Sequence, residues 1–206
     1  MKKKNQFLFL YPIKEYFDVG LGKDAFAYLA NKGLLENTPQ EIINEYNRAK
    51  TQEEKLKIQK ADYERRIKIF KPIYSEMINR CISQRYRQDS FEINFAVFDD
   101  CEVDCSVIDV LRTDRTLRVG VTKEQHFSKK IYPSQDYILN QLSKNTGHLR
   151  IAGFHTWDCV EKLAKRAYER KIDVLVDEDL TQFFVARVIT DDFKDSERNP
   201  YSLVYG

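Results

Sequence analysis

The chain has 206 residues, of which 42% are hydrophobic and 32% are charged, and its formal net charge is +2. This is the composition of an ordinary globular domain, and the balanced charge gives no electrostatic basis for nucleic acid as the main partner. The longest apolar run, Phe7–Leu10, is too short to span a bilayer, and Lys2–Lys4 before it does not complete a signal peptide. We therefore expect a cytoplasmic protein without a membrane partner, folded as a single α/β domain over residues 1–206.

The N-terminal segment is predicted to contain one buried strand and one short helix. Gln6–Tyr11 is an apolar run that ends at Pro12, as a buried strand ends before a residue with no backbone N–H. Asp24–Asn31 is predicted to form a short helix, which the glycine that follows closely would end.

Residues 38–71 are predicted to form a charged helical insertion. Thr38 has the character of an N-cap, and Pro39 suits the first helical position. The apolar residues of this stretch are sparse, which favours a solvated helical excursion from the core; a dimer arm or a lid is the alternative. Pro72 is predicted to interrupt the helix, because proline removes a backbone hydrogen bond and crowds the preceding turn.

Strands and helices alternate after residue 73. The predicted strands are Phe91–Phe98, Leu117–Thr122, Leu149–Ala152, Ile172–Val176 and Phe183–Ile189, and the predicted helices are Gln135–Leu142 and Asp158–Arg170. This alternation predicts a mostly parallel, doubly wound, Rossmann-like sheet with helices on both faces. The polar, turn-rich residues 190–206 are predicted to be a loosely packed tail.

Cys159 is the residue on which a functional hypothesis depends. The four cysteines are predicted to be free thiols, because no export signal is recognised and their spacing does not fit a zinc site: Cys81, Cys101, Cys105 and Cys159. Cys159 lies where a predicted strand passes into a helix, and open α/β sheets bind ligands at the carboxyl ends of their strands. The start of a helix also favours a thiolate over a thiol.

The turn that contains Cys159 reads Gly153-Phe154-His155-Thr156-Trp157-Asp158-Cys159-Val160. It resembles the fingerprint of the isochorismatase-like cysteine hydrolases, in which a Gly, a Thr three positions later and a Cys-Val pair follow the fourth strand. The likeness covers about residues 91–180 and, more weakly, Phe7–Phe17. It implies that Cys159 is a nucleophile and that Lys123, directly after LRVGVT, is a cation that lowers the pKa of the thiol. Three residues of the turn would then contact substrate: His155, Thr156 and Trp157.

The first predicted strand departs from this family pattern. The family places an Asp at the end of that strand, whereas Tyr11 or Pro12 stands at the corresponding position here. Glu15 and Asp18 are carboxylates of the following segment, and spacing selects neither of them. The proton shuttle that such a carboxylate would supply contributes about 10²–10⁴-fold to catalysis, so the departure bears directly on whether the chain is an active enzyme.

The leading hypothesis is an isochorismatase-like hydrolase that cleaves a small amide or related C–N bond, with a small molecule as its substrate. No cofactor and no metal are predicted, because Asp99-Asp100-Cys101 replaces the Asp-x-His by which some family members bind a metal. An inactive member serving small-molecule binding or protein assembly, with a homo-oligomer as its form, is one alternative. A Mg²⁺-dependent phosphohydrolase using Asp99, Asp100 and Asp177 is another.

Overall fold

A computed structural model describes residues 3–19, 40–154 and 156–181 of the chain. The described strands are β1 (Lys4–Leu10), β2 (Glu92–Val97), β3 (Arg115–Arg118), β4 (Thr146–Gly153) and β5 (Asp173–Thr181). They form one five-stranded sheet in the order β3-β2-β1-β4-β5, and every neighbouring pair is parallel. The predicted α/β class with a parallel, Rossmann-like sheet is therefore confirmed.

Helices connect these strands. They are α1 (Lys14–Val19), α2 (Gln40–Arg48), α3 (Gln52–Cys81), α4 (Lys123–Phe127), α5 (Gln135–Gln141) and α6 (Glu161–Glu169), with π-helical segments at Ile82–Arg87 and Thr156–Val160 and a 3₁₀ turn at Val110–Arg112. Parallel crossovers are right-handed, so connections that run in opposite directions from β1 cover opposite faces of the sheet. None of the helices in the described ranges combines the length and the hydrophobicity that a bilayer span requires.

Several predicted features lie outside the described residues, namely the helix Asp24–Asn31, the N-cap Thr38, the strand Phe183–Ile189 and the tail 190–206. Nothing in the structure bears on them.

Helices α2 and α3 form the charged helical insertion that the sequence predicts. α3 begins with a reciprocal capping box, in which Thr51 and Glu54 each accept a hydrogen bond from the other's backbone N–H (3.2 and 3.1 Å). α3 runs for 30 residues, about 45 Å at 1.5 Å per residue, and passes through Pro72 without a break. The predicted interruption at Pro72 is therefore wrong. Tertiary bonds on either side hold the helix: Lys71 pairs with Asp104 (3.0 Å), and Ser75 donates to the Val107 carbonyl (2.6 Å).

The strands differ from their predicted bounds most at the carboxyl ends of β3 and β5, and β4 begins at Thr146, before the predicted Leu149. β3 ends at Arg118, whereas the sequence predicts a strand to Thr122; Gly120 has φ +76°, which takes the chain out of the extended conformation. β5 continues to Thr181, whereas the sequence predicts its end at Val176. A bulge absorbs the extra residues, since Ile151 pairs with Val176 but Gly153 pairs with Thr181.

A buried ion pair lies at this bulge. The Asp177 side chain is 1% exposed and accepts two hydrogen bonds from the Arg85 guanidinium, at 3.0 and 3.1 Å. The Tyr86 hydroxyl also donates to Asp177. The pKa of Tyr86 is raised, mainly by burial and to a smaller extent by the negative charge of Asp177. The cluster joins the segment before β2 to β5, although β1 and β4 lie between these strands in the sheet. Asp177 is thus a core residue that is engaged by Arg85 and Tyr86.

The strand order places a topological switch point between β1 and β4. From β1 the chain proceeds outward to β2 and β3, and it then returns to the other side of β1 to form β4 and β5. The connections leaving β1 and β4 therefore diverge, and a crevice outside their carboxyl ends is the usual ligand site of such sheets. Here aromatic side chains pack around that point: Tyr11, Tyr16, Phe17, Phe98 and Phe154.

Candidate functional site

Cys159 lies beside the switch point. It belongs to the π-helical segment Thr156–Val160, which follows β4 and leads directly into α6. π-helical segments are frequent at functional sites, because the wider turn changes the direction in which side chains project. The residue is buried, with 8% of its surface exposed. Even a small reagent therefore has limited access to the Cys159 thiol.

Gly153 sets the approach of β4 to β1 immediately before this segment. Its φ is +113°, and a Cβ at this position would lie 2.2 Å from the Leu10 carbonyl oxygen. Only glycine fits such a contact between two backbones. The close approach brings the end of β1, and thereby Tyr11, next to the segment that contains Cys159.

Tyr11 is the hydrogen-bond partner of Cys159. Burial raises the pKa of Tyr11 well above its usual value, and the charge of Cys159 and the hydrogen bond between the two side chains raise it further. The hydroxyl therefore keeps its proton at neutral pH and donates to the sulfur in its thiolate form. Tyr11 has φ +57°, an unusual conformation for a bulky residue, and its ring stacks on Phe98 at a centroid distance of 4.7 Å. Backbone strain of this kind is concentrated at functional sites.

Lys162 is a cation next to Cys159. It lies one helical turn after the cysteine and forms an ion pair with Asp158. The hydrogen bond that the Lys162 ammonium donates to Asp158 raises the pKa of Lys162 most, and Cys159 and Tyr132 contribute in the same direction. Its ammonium also lies 4.8 Å from the centre of the Tyr132 ring, a cation–π contact. A cation in this position favours the thiolate form of Cys159.

Lys123 occupies a neighbouring cleft at the carboxyl ends of β1 and β2. Its ammonium pairs with Glu15 at 2.5 Å, and this hydrogen bond is the main reason why the pKa of Lys123 is raised and that of Glu15 is lowered. Among the thiols, its charge acts on Cys101, whose pKa burial and Asp100 raise to about 11. The structure thus pairs Lys123 with a carboxylate and places it near Cys101.

The remaining residues of the predicted turn are only partly described. The backbones of Thr156 and Trp157 lie in the π-helical segment with Cys159, and His155 falls outside the described residues. Substrate contacts of these three residues stay predictions.

Sequence reasoning missed Lys162 and left Tyr11 undecided. Lys162 follows Cys159 by three positions on a predicted helix, and helical spacing of three or four places side chains on one face, so this signal was available. Tyr11 and Pro12 were equal candidates for the end of the first strand, and strand periodicity does not separate neighbours when both are buried.

The three carboxylates of the magnesium alternative do not converge. Asp177 binds Arg85, Asp99 accepts from the Gly120 amide (2.8 Å), and Asp100 accepts from the Lys123 amide (2.7 Å). Within the described ranges, no group of three or more His, Cys, Asp or Glu side chains is arranged to hold a metal ion. The carboxylates instead fix loops and a strand.

The candidate site is therefore defined by its geometry at the switch point. Cys159, Tyr11 and Lys162 meet there, with Asp158 and Tyr132 in contact with the lysine. Comparison of the chain with protein-family models, with curated proteins and with solved structures finds no match in any of the three.

Proposed function

We propose that the chain is a cysteine-dependent hydrolase whose nucleophile is Cys159. The observation that carries the proposal is the position of Cys159 in the π-helical segment after β4, at the switch point of a parallel sheet and beside Tyr11 and Lys162. The substrate class, a small amide or related C–N bond, rests on the resemblance of the turn 153–160 to the isochorismatase-like hydrolases.

Each neighbour of the thiol has a role in such a reaction. The Cys159 thiolate attacks the carbonyl carbon, and the tetrahedral intermediate collapses to a thioester as the C–N bond breaks. The leaving nitrogen takes a proton from water and departs as the amine, and the hydroxide that remains hydrolyses the thioester to the carboxylic acid and the Cys159 thiolate. Lys162 stabilises the thiolate before attack. Tyr11 interacts with the sulfur and helps to orient it. Backbone N–H groups are the usual donors to the oxyanion that develops in such a reaction.

Alkylation of the native protein by iodoacetamide, followed by mass spectrometry over a range of pH, tests the nucleophile. We expect Cys159 to react with an apparent pKa below that of an ordinary thiol, about 8.5. Lys162→Met is expected to raise that pKa by about one unit, because a cation that interacts with Cys159 is lost. Lys123→Met is the matched control and is expected to leave it unchanged, because the charge of Lys123 acts on Cys101 whereas that of Lys162 acts on Cys159.

The other cysteines provide an internal reference in the same experiment. Cys105 is exposed, whereas Cys81 and Cys101 are buried. If the apparent pKa of Cys159 is not below that of the exposed Cys105 in the folded protein, the Cys159 thiol is not activated and the proposal fails. A larger effect of Lys123→Met than of Lys162→Met would replace Lys162 by Lys123 as the activating cation.

Assembly through the α2–α3 hairpin is a second candidate function. The hairpin exposes two large apolar side chains, Ile43 (39%) and Leu56 (56%), and a cleft of about 650 Å³ lies between its helices. Exposed apolar surface on a helical projection is typical of a protein contact. The specific expectation is a homo-oligomer, since the same surface is present on every copy.

Light scattering on two variants tests this assembly. The wild-type protein is expected to be an oligomer, and Ile43→Glu with Leu56→Glu is expected to be a monomer, because charges would replace the apolar contacts. Tyr168→Glu, which alters an exposed apolar residue on α6, is the control and should leave the oligomer intact. A monomeric wild-type protein contradicts the assembly role, while leaving the proposal for Cys159 untouched.

A further inference from the structure

The end of α4 and the loop after it carry three exposed apolar side chains, which we call the apolar rim. They are Phe127, Ile131 and Tyr132, and each is 40–47% exposed. The buried His126 ring joins them. Its centroid lies 5.3 Å from that of Phe127 and 5.1 Å from that of Tyr132, and its Nδ1 atom lies 3.3 Å from the Ile131 carbonyl oxygen. The three residues therefore belong to one region of the surface.

The apolar rim holds a large share of the exposed apolar surface. Seven large apolar side chains are exposed in the described ranges, and three of them lie within these six residues. Single exposed apolar side chains are ordinary, whereas a group of them is typical of a surface that contacts a ligand or a partner. Lys129 and Lys130 are exposed in the same stretch, so like-charge repulsion disfavours a cationic group there. The rim thus favours an uncharged, apolar occupant.

The apolar rim adjoins the Cys159 site at two points. At the first, the Lys162 ammonium lies 4.8 Å from the centre of the Tyr132 ring, and its charge interacts with Cys159. At the second, the Phe127 ring lies 5.6 Å from the ring of Tyr16. Burial raises the pKa of Tyr16 most, and the charge of Cys159 raises it further, so this side chain also lies near the thiol. The residues that contact the rim are therefore neighbours of the nucleophile.

A surface in this position can bind the part of a substrate that does not react. Cys159 is buried, so the reacting carbonyl must enter the site while the rest of a larger substrate lies toward the surface. Holding that remainder fixes the carbonyl carbon relative to the sulfur, and binding energy gained away from the reacting atoms is used in this way by many enzymes. An apolar remainder gains free energy when it leaves water to cover apolar side chains.

We propose that the apolar rim binds an apolar substituent of the substrate, so that the amides cleaved at Cys159 carry a group such as a phenyl ring or an alkyl chain beyond the reacting carbonyl. This inference rests on the proposed function and narrows its substrate class. Phe127, Ile131 and Tyr132 are specificity-determining residues in this scheme, since they hold the substituent and take no part in the bond changes at the carbonyl.

Alkylation by two reagents that differ only in their substituent tests the inference. The reagents are iodoacetamide and N-benzyliodoacetamide; with each, the sulfur forms a bond to the CH₂ carbon and iodide leaves. The ratio of the two rates at one thiol therefore reports the effect of the benzyl group, because the fraction of thiolate cancels. We expect this ratio to be about ten-fold higher at Cys159 than at the exposed Cys105, the gain from taking roughly half of a phenyl ring out of water.

Variants of the rim assign the preference to named side chains. Tyr132→Ala and Phe127→Ala are each expected to lower the ratio at Cys159 by about three-fold, because part of the apolar contact is lost. Tyr132→Phe retains the ring and is expected to keep the wild-type ratio. Tyr168→Ala is the matched control: this tyrosine is exposed to a similar extent but lies on α6, nine positions after Cys159, and the ratio is expected to stay unchanged.

Two outcomes would overturn the inference. One is an equal ratio at Cys159 and Cys105 in the wild-type protein, which would leave the rim as a surface for a protein partner. The other is a ratio at Cys159 that both alanine variants retain. Ile131→Ser replaces either variant if circular dichroism shows that it does not fold. These results are distinct from failure of the proposed function, in which the apparent pKa of Cys159 towards iodoacetamide is not below that of Cys105.

Discussion

Replacing Asp177 with alanine is expected to lower the free energy of unfolding by about 3–5 kcal/mol. Asp177 is 1% exposed, and its partner Arg85 is 5% exposed. The substitution would leave the guanidinium buried without its counter-charge and would remove the acceptor of the Tyr86 hydroxyl. The Leu180 amide, 3.3 Å from Oδ1, would also lose an acceptor, so the bulge in β5 would loosen. Urea unfolding followed by circular dichroism measures the loss as a lower midpoint.

Asp173→Ala provides the matched control at the start of the same strand. The Asp173 side chain is 53% exposed and pairs with His148 at 2.5 Å. Exposed pairs contribute about 0–1 kcal/mol, so this variant is expected to unfold close to the wild-type midpoint. Replacing both Arg85 and Asp177 with leucine is expected to recover part of the loss, because no unpaired charge remains buried. Equal stability of Asp177→Ala and Asp173→Ala would show that the buried pair does not stabilise the fold.

Replacing Gly153 with alanine is expected to cost more than about 4 kcal/mol or to prevent folding. The added Cβ would lie 2.2 Å from the Leu10 carbonyl oxygen and 2.7 Å from the Leu10 nitrogen. Backbone atoms of the central strand cannot move aside without opening the pairing of β1 with β4. The φ of +113° adds strain, because it is unfavourable for a residue with a Cβ. Thermal unfolding and expression in soluble form measure the effect.

Gly120→Ala is the control that separates two contributions to the loss of stability in Gly153→Ala, the contact with the Leu10 backbone and the positive φ. Gly120 has φ +76°, and its added Cβ would meet only the Tyr137 side chain, at 3.1 Å. Tyr137 is 48% exposed and can turn away. The expected cost is therefore about 1–2 kcal/mol, from the left-handed conformation alone. A similar loss in both glycine variants would mean that the contact with Leu10 is not a constraint on the fold.

The fold class followed from the sequence because local patterns determine it. The apolar runs of β1, β2, β4 and β5 alternate with helical segments, and parallel strands require such crossovers. The predictions that were wrong, the interruption at Pro72 and the end of β5, concern features that depend on residues distant in the sequence. Pro72 is accommodated because Lys71 and Ser75 are held by the loop after β2. The bulge in β5 depends on Arg85, 92 positions before Asp177, and no local pattern indicates that pair.

The candidate site was predictable only in part, for the same reason. The Gly153 turn and the position of Cys159 after a strand are local features, and the sequence indicates both. The contact of Cys159 with Tyr11 joins residues far apart in the chain, because β1 and β4 become neighbours only in the assembled sheet. Lys123 follows β3, as the sequence indicates, but its ammonium pairs with Glu15. The spacing of residues along the chain gave no information about whether Lys123 would contact Glu15 or Cys159.

The position and length of β3 bear on solubility at high concentration. It is an outer strand of the described sheet and has only four residues, of which Arg115 and Thr116 are exposed and Arg118 is half-buried. An outer strand offers unpaired N–H and C=O groups to the edge of another molecule, which is how edge-to-edge aggregation begins. Short length and two arginines both discourage such pairing, because a second strand would gain few hydrogen bonds and bring further charge against them. The early end of β3 therefore protects this side of the sheet from intermolecular strand addition.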